Sequence, residues 1–310
     1  MRLLLIGLSA AALLTACATP APPPAPTPPA ESQLIADLRI LSADDMEGRD
    51  TGAPGGERAR AYIIQRLEAI GVAAPPVGRL QPFTADGRTR EGPRTFNGQN
   101  ILGVIPGTRA GHRWIVVTAH YDHVGVNDGQ IFNGADDNAS GVATALALAE
   151  RLKAEAPEHG VIFAFLDGEE RGLLGARHFV DFPPVPLESI ALNVNYDMTA
   201  RADDGKLWVT GTYQHPTLRP ILEPVAAIGN VSLSFGKDTP QDTGADNWVE
   251  ASDHAAFHRA GLPFLYFGVD YHPDYHRPSD DFARVTPQTF TNATELSINA
   301  FRALDRALGR

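Results

Sequence analysis

The sequence of 310 residues contains one cysteine, Cys17. An intramolecular disulfide framework is therefore excluded. Positive charge is scarce as well: 26 Lys and Arg stand against 37 Asp and Glu, a net charge of −11. A chain this acidic lacks the basic patches that gripping a phosphate backbone requires, so no nucleic-acid partner is expected. Long apolar runs are also missing. Even the run over residues 3–14 falls short of the roughly 20 apolar residues that a membrane-spanning helix needs. The sequence has no internal repeat.

The two ends of the first 30 residues carry a targeting pattern. Met1-Arg2 is a short positive start, residues 3–14 are an apolar core, and Leu14-Thr15-Ala16-Cys17 resembles the lipobox of a bacterial lipoprotein signal peptide. That resemblance implies a signal over residues 1–16 and lipidation of Cys17 as the first residue of the mature chain. The competing reading is an ordinary secretory signal cleaved near Ala16 or Ala18, with Cys17 incidental. Several acyl chains anchor stably where one is marginal, at about 0.8 kcal/mol per buried methylene. Residues 17–30 are almost entirely Pro, Ala and Thr, which favours extended polyproline II and a semi-rigid tether. The expectation is an exported protein, lipid-anchored to the bacterial cell envelope at the outer membrane and facing the periplasm, with one globular domain over residues 31–310.

Within that domain, the spacing of apolar residues predicts helices over 32–41 and 55–70, the second stopped by Gly71. Residues 73–99 are rich in Pro, Gly and Arg and read as loops and short edge strands. From there the chain alternates. Strands are expected over 100–105, 114–119, 161–166, 189–196, 206–210 and 263–268. Helices are expected over 140–153, 173–180, 217–228, 252–260 and 287–308. Strands alternating with helices imply an α/β fold, a three-layer α/β/α sandwich around a central mixed, mostly parallel sheet. In such sheets ligands sit beyond the carboxyl ends of strands.

Polar clusters fall at those ends. They read Thr118-Ala119-His120-Tyr121-Asp122, Gly134-Ala135-Asp136-Asp137-Asn138 and Asp167-Gly168-Glu169-Glu170, and Asp197 follows a fourth strand. Imidazole and carboxylates together are what a divalent metal such as zinc takes as ligands. The candidates are His120, Asp137 or Asp136, Glu169 or Glu170, Asp197 and one of the histidines at 254, 258, 272 and 276. The inventory allows two metals, and the adjacent Glu169-Glu170 pair suggests a ligand beside a base.

These residues also carry a family resemblance. Ala119-His120-Tyr121-Asp122, the run from Asn133 to Gly141, Asp167-Gly168-Glu169-Glu170, Tyr196-Asp197-Met198 and Tyr275-His276-Arg277-Pro278-Ser279-Asp280 resemble the co-catalytic zinc aminopeptidases of peptidase family M28. Met46-Glu47-Gly48-Arg49-Asp50-Thr51-Gly52, Ser252-Asp253-His254 and Gly261-Leu262-Pro263 resemble further segments of that family. The resemblance implies two zinc ions, with His120 and Asp197 on one, Glu170 and His276 on the other, and Asp137 bridging. It implies Glu169 as general base on a water shared by the two ions, and Asp122 as acceptor of the other ring N–H of His120. Tyr275 is a candidate donor to the developing oxyanion, a role that can be worth roughly 3 kcal/mol.

Plainer roles belong to the neighbours. Asp136 reads as a hydrogen-bonded structural carboxylate, Asp253 as a helix cap beside His254, His178, His258 and His272 as surface or supporting groups, and His215 as part of a loop. The expected activity is release of N-terminal residues from peptides. The alternatives are a glutaminyl cyclase, which uses one zinc, a carboxypeptidase of the same superfamily, and a surface protein that kept the fold without the chemistry. Residues 79–99, 212–216 and 235–250 are the candidate walls of the substrate pocket.

Overall fold

The computed structural model describes residues 31–89 and 92–308; the expected signal, Cys17 and the tether lie outside the described residues. In chain order the first strands are β1 (Leu80–Thr89), β2 (Gly92–Ile105), β3 (Trp114–His120), β4 (Gly125–Asn127) and β5 (Gln130–Phe132). They are followed by β6 (Gly160–Leu166), β7 (Ile190–Tyr196), β8 (Lys206–Thr210), β9 (Ser232–Phe235) and β10 (Phe264–Gly268). Eight of them form one sheet in the order β1-β2-β6-β3-β7-β10-β8-β9, while β4 and β5 pair separately. The four central strands β6, β3, β7 and β10 run parallel. Antiparallel pairings join β2 to β6 and β8 to β10, so the sheet is mixed around a parallel centre.

The central strands read as continuous apolar runs because both faces are covered. Ile115, Val117 and Ala119 of β3 face one core, and Val116 between them faces the other. The larger core is closed by helices α1 (Gln33–Leu41), α2 (Pro54–Ile70), α3 (Gly141–Ala154) and the long α7 (Pro287–Ala307), through Leu38, Ile63, Leu146 and Phe301. The smaller core is closed by α4 (Leu174–Asp181) and α6 (His254–Arg259), through Phe179 and Phe257. This is the three-layer α/β/α sandwich. No helix among the described residues is long and apolar enough to cross a membrane.

Two expectations need correction. Residues 73–99 do not form short edge strands: β1 and the first ten residues of β2 make a long antiparallel pairing in register from Leu80 with Ile101 to Thr89 with Gly92. Along β1 only Phe83 and Gly87 are buried, so the segment carries no apolar period to read. Residues 217–228 hold a single helical turn, α5 (Arg219–Leu222), instead of a full helix. Pro224 has no N–H and its ring collides with the preceding turn, which stops the helix there. Strands β4, β5 and β9, of three, three and four residues, are too short to show a period.

Candidate metal centre

The carboxyl ends of β3, β6 and β7 lie side by side, and each releases a chemical group at the same edge. Beyond β3 comes Asp122, whose carboxylate accepts the backbone N–H of Glu169 at 3.0 Å and of Glu170 at 3.3 Å. It also accepts the Thr51 hydroxyl at 3.3 Å. One buried carboxylate thus fixes the turn that follows β6. The turn over Ala135–Ser140 precedes α3, and the Asp280 carboxylate accepts the N–H groups of Asp136 and Asp137 at 3.1 and 3.0 Å. Asp197 follows β7, its N–H on Phe267 O of β10 at 3.1 Å.

Arg49 ties the segment after β3, the turn before α3 and the end of α1 together from behind. Its buried guanidinium donates to the carbonyls of Tyr121, Leu41, Asn133 and Gly134 at 2.6 to 2.9 Å, and to that of Asp137 at 3.4 Å. Burial lowers its pKa to about 10, against the pull of Asp137, Asp280, Asp122 and Glu170. It therefore remains a cation at neutral pH.

Two groups of donors result, and Asp137 belongs to both. In the first, His120 Nε2 lies 3.4 Å from Asp137 Oδ1 and 3.4 Å from Asp197 Oδ1. In the second, His276 Nε2 lies 3.0 Å from Asp137 Oδ2 and 3.3 Å from Glu170 Oε1. Donors around a tetrahedral zinc, with bonds of about 2.0–2.1 Å, stand roughly 3.3 Å apart. Glu170 Oε1 and Asp197 Oδ1 are buried and have no hydrogen-bond partner among the described residues, although buried acceptors are nearly always satisfied. Donor chemistry, spacing and orphaned atoms all fit divalent zinc.

The electrostatics agree. Burial opposes the charge on Asp137, yet His123, His120 and His276 hold its carboxyl well below the usual range. Burial and Asp137 push Glu170 up, but His123 and His276 bring it down to about 2. Its neighbour Glu169 is raised well above the ordinary value by burial, opposed by His120 and assisted by Glu170, Asp253 and Asp197. Burial disfavours the imidazolium of His276, and Asp137 and Glu170 overcome it to reach about 11. So many buried carboxylates in one place require positive counter-charge.

The structure brings His120, Asp137, Glu170, Asp197 and His276 into one centre and sets Asp122 beneath it. The expected bond from His120 to the Asp122 carboxylate is corrected: His120 Nδ1 meets the Asp122 backbone carbonyl at 3.1 Å, while the carboxylate lies 3.7 Å away and serves the Glu169 turn. Tyr275 stacks on the His276 ring, centroids 3.9 Å apart. Asp136 takes Ala200 N–H at 2.7 Å and His272 Nε2 at 3.1 Å, a supporting role for both. His254 stacks on Phe264 and Tyr266. Asp253 stands at the start of α6 without capping it, its buried carboxylate unbonded among the described residues.

One residue escaped the sequence reading. His123 is fully buried, with Nδ1 2.7 Å from Glu170 Oε1 and 3.8 Å from Asp137 Oδ2. The three-residue spacing from His120 was the available signal, but β3 ends at His120, and strand periodicity says nothing about where the next turn aims its side chains.

Beside the centre opens a cavity of about 660 Å³, walled by Tyr213, Asp238, Thr239, Val249, Glu250 and Tyr271 among others. Tyr271 contacts Tyr275 at 4.8 Å between centroids, which links the cavity to His276. Two of the expected wall segments, 212–216 and 235–250, contribute to it; residues 82–84 and 97–99 of the third line a separate cavity.

Known proteins resemble this chain. Aminopeptidase YwaD of Bacillus subtilis is 30% identical over 213 residues, 64% of this chain and 43% of that protein. The probable lipoprotein aminopeptidase LpqL of Mycobacterium tuberculosis is 29% identical over 294 residues, 84% of this chain and 55% of that protein. The chain spans about half the length of the curated relatives it matches. Among solved structures, the zinc aminopeptidase BSAP from Bacillus subtilis superposes with a TM-score of 0.68 at 18% identity, covering 86% of this chain and 93% of that one. A Fimbriiglobus ruber glutaminyl cyclase superposes with a TM-score of 0.68 at 21% identity, covering 92% and 99%; such likenesses establish the fold. The sequence model of Peptidase family M28 matches residues 100–301, which span β6, β3, β7, β10 and every donor of the centre, and the chain belongs to that family.

Proposed function

We propose that this protein is a zinc-dependent aminopeptidase that hydrolyses N-terminal residues from peptides, with residues 31–310 as its catalytic domain. The observation that carries this reading is the pair of donor groups sharing Asp137, one oxygen to each. His120, Asp197 and Asp137 would hold one zinc ion, and Glu170, His276 and Asp137 a second; when bound, the ions polarise the scissile carbonyl and lower the pKa of a water.

The chain's own residues do the rest. Glu169 takes the proton of the attacking water and delivers it to the leaving amine. Asp122 holds Glu169 and Glu170 in place through their backbone N–H groups. Tyr275, kept protonated by burial and by Asp137 and Glu170, is the candidate donor to the developing oxyanion. An aminopeptidase is favoured over a carboxypeptidase by the relatives described as aminopeptidases. The cavity at Tyr213 and Tyr271 is the place for the side chain of the residue removed.

We further propose that Cys17 is lipidated and tethers the exported protein to the outer membrane on its periplasmic side, a reading supported by the relative described as a probable lipoprotein aminopeptidase. Labelled palmitate should enter the wild type in a bacterial host and not a Cys17→Ser variant. For the activity, the purified full-length protein is offered peptides with free and acetylated N-termini. Release of amino acids from free termini alone, lost with chelator and restored by zinc, is expected. Cyclisation of N-terminal glutamine, or release from the C-terminus, would replace this reading with one of its alternatives.

A further inference from the structure

We propose that His123 is a ligand, through Nδ1, of the ion held by Glu170, His276 and Asp137, and that this fourth protein donor makes the two metal sites unequal. The inference rests on the zinc reading above and adds to it a donor that gives one site four protein ligands and the other three.

His123 has no solvent exposure, and both ring nitrogens lack a hydrogen-bond partner among the described residues. A buried imidazole with two idle nitrogens is a costly arrangement unless something occupies them. Nδ1 stands 2.7 Å from Glu170 Oε1, close enough for a hydrogen bond, yet neither atom makes one of acceptable geometry. Two buried atoms that stand this close without a hydrogen bond of good geometry have in a metal ion a partner they can share. The four donor separations within this group are 2.7, 3.0, 3.3 and 3.8 Å. They bracket the roughly 3.3 Å of a tetrahedral zinc site. His123, Asp137 and Glu170 each offer an atom within 4.8 Å of the others. The His123 and His276 rings approach from different directions, at 64° and 5.7 Å between centroids.

The backbone makes room for this ring. Gly134 has φ +53°, and a Cβ there would lie 2.5 Å from His123 Cδ2. The turn that carries Asp137 is thus shaped around His123 as well.

The consequence is asymmetry. With His123, the site at Glu170 has four protein donors, and water or substrate there would make it five-coordinate. The site at His120 has three, Asp137 and Asp197 included, and keeps the open position that catalytic zinc requires. The Glu170 site should therefore bind tightly and exchange slowly, and the His120 site should be the first emptied when zinc is limiting.

The test counts and weighs metal without using turnover. Full-length wild type, His123→Ala and His123→Asn are stripped, reloaded with zinc, and titrated against a competing chelator of known affinity. In the wild type two ions of distinct affinity are expected. In both variants the tighter ion should weaken by at least about 100-fold, the upper end of what loss of a mere supporting partner causes, while the weaker ion changes little. Circular dichroism checks that each variant is folded. Since a buried substitution can disturb folding, a second measurement uses wild type alone, loaded with NMR-active cadmium and carrying nitrogen-labelled histidine. Cadmium coupling to three imidazoles, one of them His123 Nδ1, is expected. Coupling to His120 and His276 only, or folded variants holding both ions with wild-type affinity, overturns the proposal. A wild type that binds no metal overturns the zinc reading beneath it.

Discussion

Glu169 and Glu170 are adjacent carboxylates that their surroundings drive in opposite directions. His123 and His276 hold Glu170 ionised, down to about 2, whereas burial lifts Glu169 well above its ordinary value. Carboxylates pushed apart in this way take different tasks, ligand and proton carrier. Glu169→Gln is expected to lower kcat by about 10²–10⁴-fold while zinc content stays at the wild-type count, checked by turnover and metal analysis on one preparation. Asp122→Asn would turn an amide N–H toward the backbone N–H of Glu169 or Glu170. Its zinc affinity should fall by about 10–100-fold, measured by chelator competition. At this scale much was legible: His120, Asp137, Glu170 and Asp197 each follow or precede an apolar run. The choice of Asp137 over Asp136 came from the family motif, and the reason is visible only in space, where Asp136 turns to Ala200 and His272.

Among elements, the parallel strands β6, β3 and β7 aim the candidate ligands, and the segment after β3 and the turn before α3 need a separate clamp. Arg49 is that clamp, with carbonyls of three segments on one guanidinium. Lysine offers a point charge and three donors in place of the planar fork, so it cannot reach the same carbonyls. Arg49→Met should lower stability by about 3 kcal/mol or more, and Arg49→Lys should recover only part of it, read by urea unfolding. The sequence placed Arg49 in a family-like segment without a role. Apart from Leu41, 8 residues away, its partners lie 72 to 88 residues away, beyond any local pattern. The β1–β2 pairing was illegible for the opposite reason, having few buried side chains to mark a period.

For the whole molecule, the proposed zinc ions and a buried histidine should make stability depend on metal and on pH. Ions that bind only the folded state stabilise it by mass action, so chelation should lower Tm and excess zinc should restore it, read by calorimetry. His254 contributes a pH dependence of its own. Burial brings its imidazole from 6.5 down to about 4, against the Trp248 carbonyl that it bonds at 2.8 Å. The folded state therefore favours the neutral ring. That contribution is complete above pH 6.5 and is lost as pH falls toward 4, at most about 3 kcal/mol. His254→Phe keeps the stack on Phe264 and Tyr266 and removes the titration. The stability gap between wild type and variant should narrow as pH drops from 7 to about 4. A gap independent of pH would assign the acid sensitivity to other groups.

The sequence by itself determined the layered α/β architecture, the carboxyl-end placement of the candidate ligands and the family, because strand periods and compact motifs are local properties of the chain. Only the tertiary structure decided that His123 joins the centre, that Asp122 serves the Glu169 turn and that Arg49 binds the loops. Each of those depends on where a turn directs a side chain toward residues distant in sequence.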